Sequence, residues 1–157
     1  MVDSSMVNKM FSIRRIRKSD VASLGKMINA LNHFHAVPER VLLDFLDQGL
    51  FASKISIGYI LVKSKRAIGF SVGYDFMNYV HNKKHHQIDL FFVTEPYRGK
   101  GLGRLLLDTV VQKSKVRGCH VVDVSASPYN KEAQKFYKAC GFFLRDKPSK
   151  RFRLIIE

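Results

Sequence analysis

Residues 88–103 read Ile88-Asp89-Leu90-Phe91-Phe92-Val93-Thr94-Glu95-Pro96-Tyr97-Arg98-Gly99-Lys100-Gly101-Leu102-Gly103. The first six are apolar apart from Asp89 and read as a buried strand. Three glycines within five residues follow. Beyond them Leu102, Leu105, Leu106, Thr109 and Val110 share the inner face of a helix that Gly118 can end as the residue past its C-cap. His120 to Ser125 is β-branched and reads as a further buried strand. Strand, glycine loop, helix and strand form a βαβ unit, whose two strands should run parallel with a right-handed crossover.

Working outward, Phe11 to Arg17 has a short strand pattern ending at Lys18-Ser19-Asp20. Ser19 or Asp20 can cap a helix with Val21, Leu24, Met27, Ile28 and Leu31 on one face. Pro38 opens a second helix with Val41, Leu42, Phe45 and Leu50 to one side. Ile55 to Val62 and Ala67 to Phe76 read as an antiparallel hairpin turning at Lys63-Ser64-Lys65-Arg66. Tyr79 to His86 is polar and aperiodic and reads as a loop. Asn130 can cap a last helix carrying Ala133, Phe136, Tyr137 and Cys140, stopped by Gly141. Phe142 to Leu144 and Phe152 to Ile156 add two short strands around Pro148. The order β-α-α-β-β-β-α-β-α-β-β implies an α/β (α+β) fold: a mixed sheet with helices on its faces. Residues 1–10 should be a loose segment and 11–157 a single domain.

Composition bounds the function. The chain has 157 residues, 46% hydrophobic and 25% charged, with two Cys and no Trp, which excludes disordered and disulfide-scaffold classes. No run approaches the ~20 apolar residues of a membrane helix. Cys119 and Cys140 suit a reducing, cytoplasmic setting. Lys plus Arg number 27 against 13 Asp plus Glu, a formal net charge of +14. That excess favours anionic partners, although a basic surface can equally serve solubility alone.

The glycine loop invites phosphate. Glycines let backbone N–H groups turn inward, a helix N-terminus adds partial positive charge, and Arg98, Lys100 and Arg104 add full charges. A nucleotide P-loop fails, because Gly103 is followed by Arg104 and Leu105 rather than Lys and Ser or Thr. The dinucleotide fingerprint fails on the spacing of glycines 99, 101 and 103. The pattern that fits is R-x-x-G-x-G at Arg98, Gly101 and Gly103.

With that loop in place the sequence resembles the GNAT superfamily of acyl-coenzyme A N-acyltransferases. Ile13-Arg14 with Asp20 is similar to the family's first strand and helix start. Ile88 to Val93 is similar to its central strand, and Asn130, Ala133, Phe136-Tyr137 and Gly141-Phe142 to its closing segment. The resemblance covers most of residues 11–145, and loosely includes the diamine (polyamine) acetyltransferase branch. It implies acetyl-coenzyme A as co-substrate, its pyrophosphate held by amides of Arg98, Gly99, Lys100, Gly101, Leu102, Gly103 and Arg104. It also implies a pantetheine arm paired with main-chain groups of Phe91, Phe92 and Val93, and a coenzyme contact from Asn130, whose plainer role is a helix cap.

Acetyl transfer to an amine needs a base, since an alkyl ammonium has a pKa near ~10. Asp89 is the only acid of its strand and stands where many relatives carry Glu, so it is a candidate base, a substrate anchor or a structural carboxylate. Tyr137 matches the tyrosine that often protonates the departing thiolate in relatives; otherwise it is an aromatic of the inner helix face. His33, His35, His85 and His86 lack a supporting ligand set and read as solvated loop residues, with no metal expected. The expected acceptor is a small-molecule amine or a protein or peptide amine. Acidic candidates to receive a polycation are Glu39, Asp44, Asp47, Asp75 and Asp89. Nucleic acid is left open by the charge but not favoured, no membrane is expected, and a homodimer is left open. The competing class is an anion- or nucleic-acid-binding protein on an acetyltransferase scaffold with weak or no catalysis.

Overall fold

The computed structural model describes residues 10–31 and 38–145. The chain divides into two compact units, residues 1–125 and 126–157. The first unit carries β1 (Phe11–Arg15), α1 (Val21–Leu31), α2 (Glu39–Leu46), β2 (Ser56–Lys63), β3 (Arg66–Asn78), β4 (Lys83–Val93), α3 (Leu102–Val116) and β5 (Val121–Val124). Its five strands lie in the order β1-β2-β3-β4-β5. The first four pair antiparallel, and β5 runs parallel to β4. This is the mixed sheet expected from the sequence, with α3 as the crossover between its parallel strands.

One face of the sheet supplies Ile60, Val62, Phe70 and Phe92 to a core closed by Leu24, Met27 and Ile28 of α1 and Leu42 and Leu46 of α2. α3 buries Leu102, Leu106, Leu107, Val110 and Ser114. It lies on the opposite face, where Arg117 just beyond its end meets Tyr59 and Asp75, residues of the other strand parity. At the start of α1, a 3-10 turn over Lys18–Asp20 precedes the helix. Asp20 caps that turn by accepting from the Arg17 N–H at 2.8 Å and pairs with Arg14 at 2.7 Å.

Several expectations change. Residues 83–86, read as loop, open β4, and His85 and His86 are buried rather than solvated. Val41 is exposed on α2, whose inward face is Leu42 and Leu46, continued by Leu50 in the following π-turn. Leu105 and Thr109 are only half-buried on α3, as is all of β5. Phe142 to Leu144 forms no strand among the described residues. Its expected neighbour 152–156, residues 1–9, His33, His35 and the Phe45 side chain lie outside the described residues.

The second unit, described over 126–145, is built on α4 (Lys131–Ala139). Asn130 Oδ1 accepts from the Ala133 N–H at 3.0 Å, so the expected cap is present. Gly141 ends the helix with φ of 90°.

Candidate active site

The centre of the first unit is where β4 changes partners. On one side, β3 pairs Val72 with Leu90 and Gly73 with Ile88, so Asp89 is the extra residue of a β-bulge. Gly73 permits this close approach, because a Cβ there would collide with the Gln87 carbonyl. On the other side, the parallel ladder with β5 ends at Ile88 and Val124. Beyond that point Asp89–Val93 has no strand beside it among the described residues.

Alternation decides which backbone groups face the vacated side. The Phe92 carbonyl points at Gly69 of β3. The main-chain groups of Phe91 and Val93 therefore turn the other way. Of the three expected pantetheine partners, Phe92 is committed to the β3 ladder. The Val93 carbonyl also accepts from Arg98 Nε at 2.8 Å.

Asp89 is exposed, and no described cation pairs with it. Asp89, the only acid of a stretch read as a buried strand, is thus turned to solvent at the bulge. Without a salt-bridge partner, the structural-carboxylate reading loses its support.

The glycine loop follows a 3-10 turn over Glu95–Tyr97. Gly99 and Gly101 have φ of 68° and 77°, the left-handed region that disfavours any side chain. Gly101 is the N-cap of α3, and no side chain caps that end. The N–H groups of the first turn are thus presented outward, at the positive end of the helix dipole. Arg98, Lys100 and Arg104 surround them and are exposed. Two of these cations are anchored locally: the Arg98 guanidinium lies 5.4 Å over the Phe92 ring, and Lys100 Nζ donates to the Pro96 carbonyl at 2.9 Å. Arg104 faces Asp108 one turn on at 3.6 Å.

In the second unit, Tyr137 packs edge-on to Phe136 and against Phe142, with ring centroids 5.3 and 5.8 Å apart. Burial pushes its phenol up to about 12, so it keeps its proton throughout the physiological range.

Sequence reasoning missed two buried clusters on β4. His86 Nδ1 donates to Asp75 Oδ1 at 2.7 Å, and Arg117 makes a two-point contact with the same carboxylate at 2.8 and 3.1 Å. Burial would raise the Asp75 pKa, but Arg117 and His86 outweigh it and hold the carboxyl well below its usual range. Burial lowers the His86 pKa despite the partner carboxylate, keeping the imidazole neutral. On the other face, His85 Nδ1 donates to Asp123 Oδ2 at 2.8 Å, and its buried Nε2 has no partner among the described residues. The available signal was Asp75 and Asp123 inside strand patterns, each needing a cross-strand donor.

These contacts also remove acceptor candidates. Asp75 is consumed by Arg117, His86 and Lys84, the last at 3.4 Å. Asp47 is exposed and pairs with Lys18 at 3.0 Å. Asp44 is exposed, and the Glu39 side chain lies outside the described residues. Among the described residues no group of three His, Cys, Asp or Glu could hold a metal ion, and no helix is long and apolar enough to cross a membrane.

Comparison with known proteins adds a family, two relatives and two solved structures. The sequence model of the acetyltransferase (GNAT) family matches residues 26–142. A thialysine N-epsilon-acetyltransferase of Mus musculus is 22% identical over 139 residues, covering 82% of each chain. An uncharacterized N-acetyltransferase of Methanocaldococcus jannaschii is 36% identical over 56 residues, which is 36% of this chain and 25% of that protein. Among solved structures, a possible acetyltransferase from Clostridium difficile 630 superposes with a TM-score of 0.81 at 14% identity, covering 94% of this chain and 99% of that one. AAC(6')-Iy, solved in complex with the bisubstrate analog CoA-S-monomethyl-acetylneamine, gives a TM-score of 0.80 at 21% identity, covering 93% and 99%. At those identities the structural likeness establishes the fold.

Proposed function

Because the chain belongs to the acetyltransferase (GNAT) family, we propose that it moves an acetyl group from acetyl-coenzyme A to a primary amine by direct attack. The observation that carries this reading is the bulged, half-vacated β4 leading into a left-handed glycine turn at an uncapped helix end. The residues present fit the coenzyme. Its pyrophosphate suits the N–H groups of Gly99 to Arg104, where glycine leaves room for close approach. Its amide-bearing arm suits the vacated side of β4, towards which Phe91 turns its main-chain groups and Val93 its N–H. A main-chain N–H on that strand can also polarise the thioester carbonyl. Asn130, whose Oδ1 is committed to the helix cap, contributes at most its amide donors to the coenzyme.

The reaction balances with two side chains. Asp89, directly or through one water, takes a proton from the acceptor ammonium. The amine nitrogen then bonds to the acetyl carbon as the carbon–sulfur bond breaks, and it sheds its second proton to solvent. Tyr137 gives its phenolic proton to the departing thiolate and is restored from solvent. A general base and a general acid each contribute roughly 100-fold or more to such a reaction.

Tyr137→Phe is expected to lower kcat roughly 100-fold with little change in KM for acetyl-coenzyme A. An unchanged kcat in steady-state assays would remove Tyr137 from the mechanism. For Asp89→Asn, kcat falls by a similar factor and recovers towards pH ~10, where the amine loses its proton unaided. If KM for the amine rises instead while kcat holds, Asp89 is an anchor. The function itself is tested by free-thiol release from acetyl-coenzyme A over polyamines, amino acids, aminoglycosides and lysine-containing peptides. Release with one class establishes the transferase and names its acceptor. Silence across the panel, with steeply salt-dependent RNA binding, favours the scaffold-type binding protein.

A further inference from the structure

At the far end of α3 from the glycine loop lies a groove of about 600 Å³, lined by none of the residues proposed above for acetyl transfer. α3 has 15 residues, which sets the two regions about 22 Å apart at 1.5 Å per residue. The groove is cut between the end of β1, the approach to β2 and the turn end of the β3–β4 hairpin. Arg15, Lys54, Lys84 and Arg117 line it against the single carboxylate of Asp75. Its walls include Ile55 and Met77, which are 55% and 45% exposed.

The charge in this groove is held in place. Arg15 lies with its guanidinium 5.6 Å over the Tyr59 ring, and the Tyr59 hydroxyl accepts from Arg117. Lys84 Nζ donates to the Arg117 carbonyl at 3.0 Å. Asp75 is shared by Arg117 and by Lys84, the latter at 3.4 Å, so Arg15 and Lys54 are the cations left to face the opening. Neither Arg15 nor Lys54 pairs with an acid among the described residues. Fixed cations beside exposed aliphatic side chains, in a cavity of small-molecule size, suit a ligand with both charge and an apolar body. A nucleic acid would call for an extended basic stripe with stacking faces rather than one compact hollow.

We propose that this groove is a second binding site, separate from the acetyl-transfer centre, for an organic anion: an apolar body bearing a carboxylate, sulfonate or phosphate. The anion sits between Arg15 and Lys54 with Lys84 behind it, and the apolar body lies on Ile55 and Met77. Charge-assisted contacts set the affinity, so binding weakens with salt. The site stands whether or not the chain transfers acetyl groups.

The test is an amide-resolved NMR titration of the full chain with 8-anilinonaphthalene-1-sulfonate. Two control probes accompany it: uncharged N-phenyl-1-naphthylamine and inorganic sulfate. The expected result is saturable shifts at Ile55, Met77, Lys84 and Arg117, with both controls at least ~10-fold weaker. Arg15→Glu with Lys54→Glu, both exposed, weakens the sulfonate ~10-fold or more while the melting temperature holds. Shifts centred on residues 99–104 or scattered over the surface overturn the proposal. So does undiminished affinity in the charge-reversed variant, or equal binding of either control.

Discussion

Replacing Gly101 by glutamate is expected to abolish acetyl-coenzyme A binding while leaving the chain folded. Two effects act together at this position. The residue holds φ of 77°, where a side chain costs of order 1 kcal/mol. A carboxylate at the helix N-cap also faces the pyrophosphate directly. At a separation of ~4 Å and an effective dielectric of ~20, each pair of like charges costs about 4 kcal/mol, close to a thousandfold in affinity. Apart from its chain neighbours no heavy atom lies within 4 Å of a Cβ at Gly101, so the substitution costs that strain alone and lowers the melting temperature by only a few degrees. Calorimetric titration checks this, with Gly101→Ala as the control that retains strain without charge. Near-native affinity in the glutamate variant would move the coenzyme away from this loop.

The second large effect is on stability. Arg117→Ala removes the guanidinium that neutralises Asp75, whose side chain is 6% exposed, and leaves the Tyr59 hydroxyl without that donor. Removing the main partner of a buried carboxylate leaves Asp75 only the His86 N–H and Lys84 at 3.4 Å, at a cost of up to about 3 kcal/mol. The melting temperature should fall by several degrees. The same cluster sets an acid limb. His86 has its folded pKa lowered below the ordinary 6.5, so the unfolded chain takes up a proton first and stability declines as pH falls below about 6.5. Asp75 has its folded pKa lowered below 3.8, so its contribution is present above that value and is lost as pH falls towards the folded pKa. Denaturant unfolding between pH 8 and 3 should therefore show two successive declines, with the upper one missing in His86→Gln. A flat stability profile down to pH 4 in the unsubstituted chain would contradict the assignment of a neutral buried His86.

The sequence made the βαβ unit legible because its signals are local. Glycines 99, 101 and 118 mark positive φ, and Leu102 to Val110 keep helical period. The R-x-x-G-x-G spacing then separated this loop from the two nucleotide-binding patterns. What sequence could not display was cross-strand chemistry. His85 and His86 look solvated until Asp123 and Asp75 are brought beside them by β5 and β3. The bulge at Asp89 is likewise invisible, since it depends on the register of Gly73 against Ile88. For that reason the exposure of Asp89, which its proposed role as a base requires, emerged only from the fold. Asn130 was legible as a cap because its partner is three residues away.

The most direct test of the central claim is transfer of label from acetyl-coenzyme A carrying ¹⁴C in the acetyl group. The account predicts that label leaves the coenzyme and appears on the nitrogen of a primary-amine acceptor, with one free thiol released per label transferred and none retained on the chain. Label held covalently by the protein, or coenzyme bound with no label transferred to any amine, would contradict it.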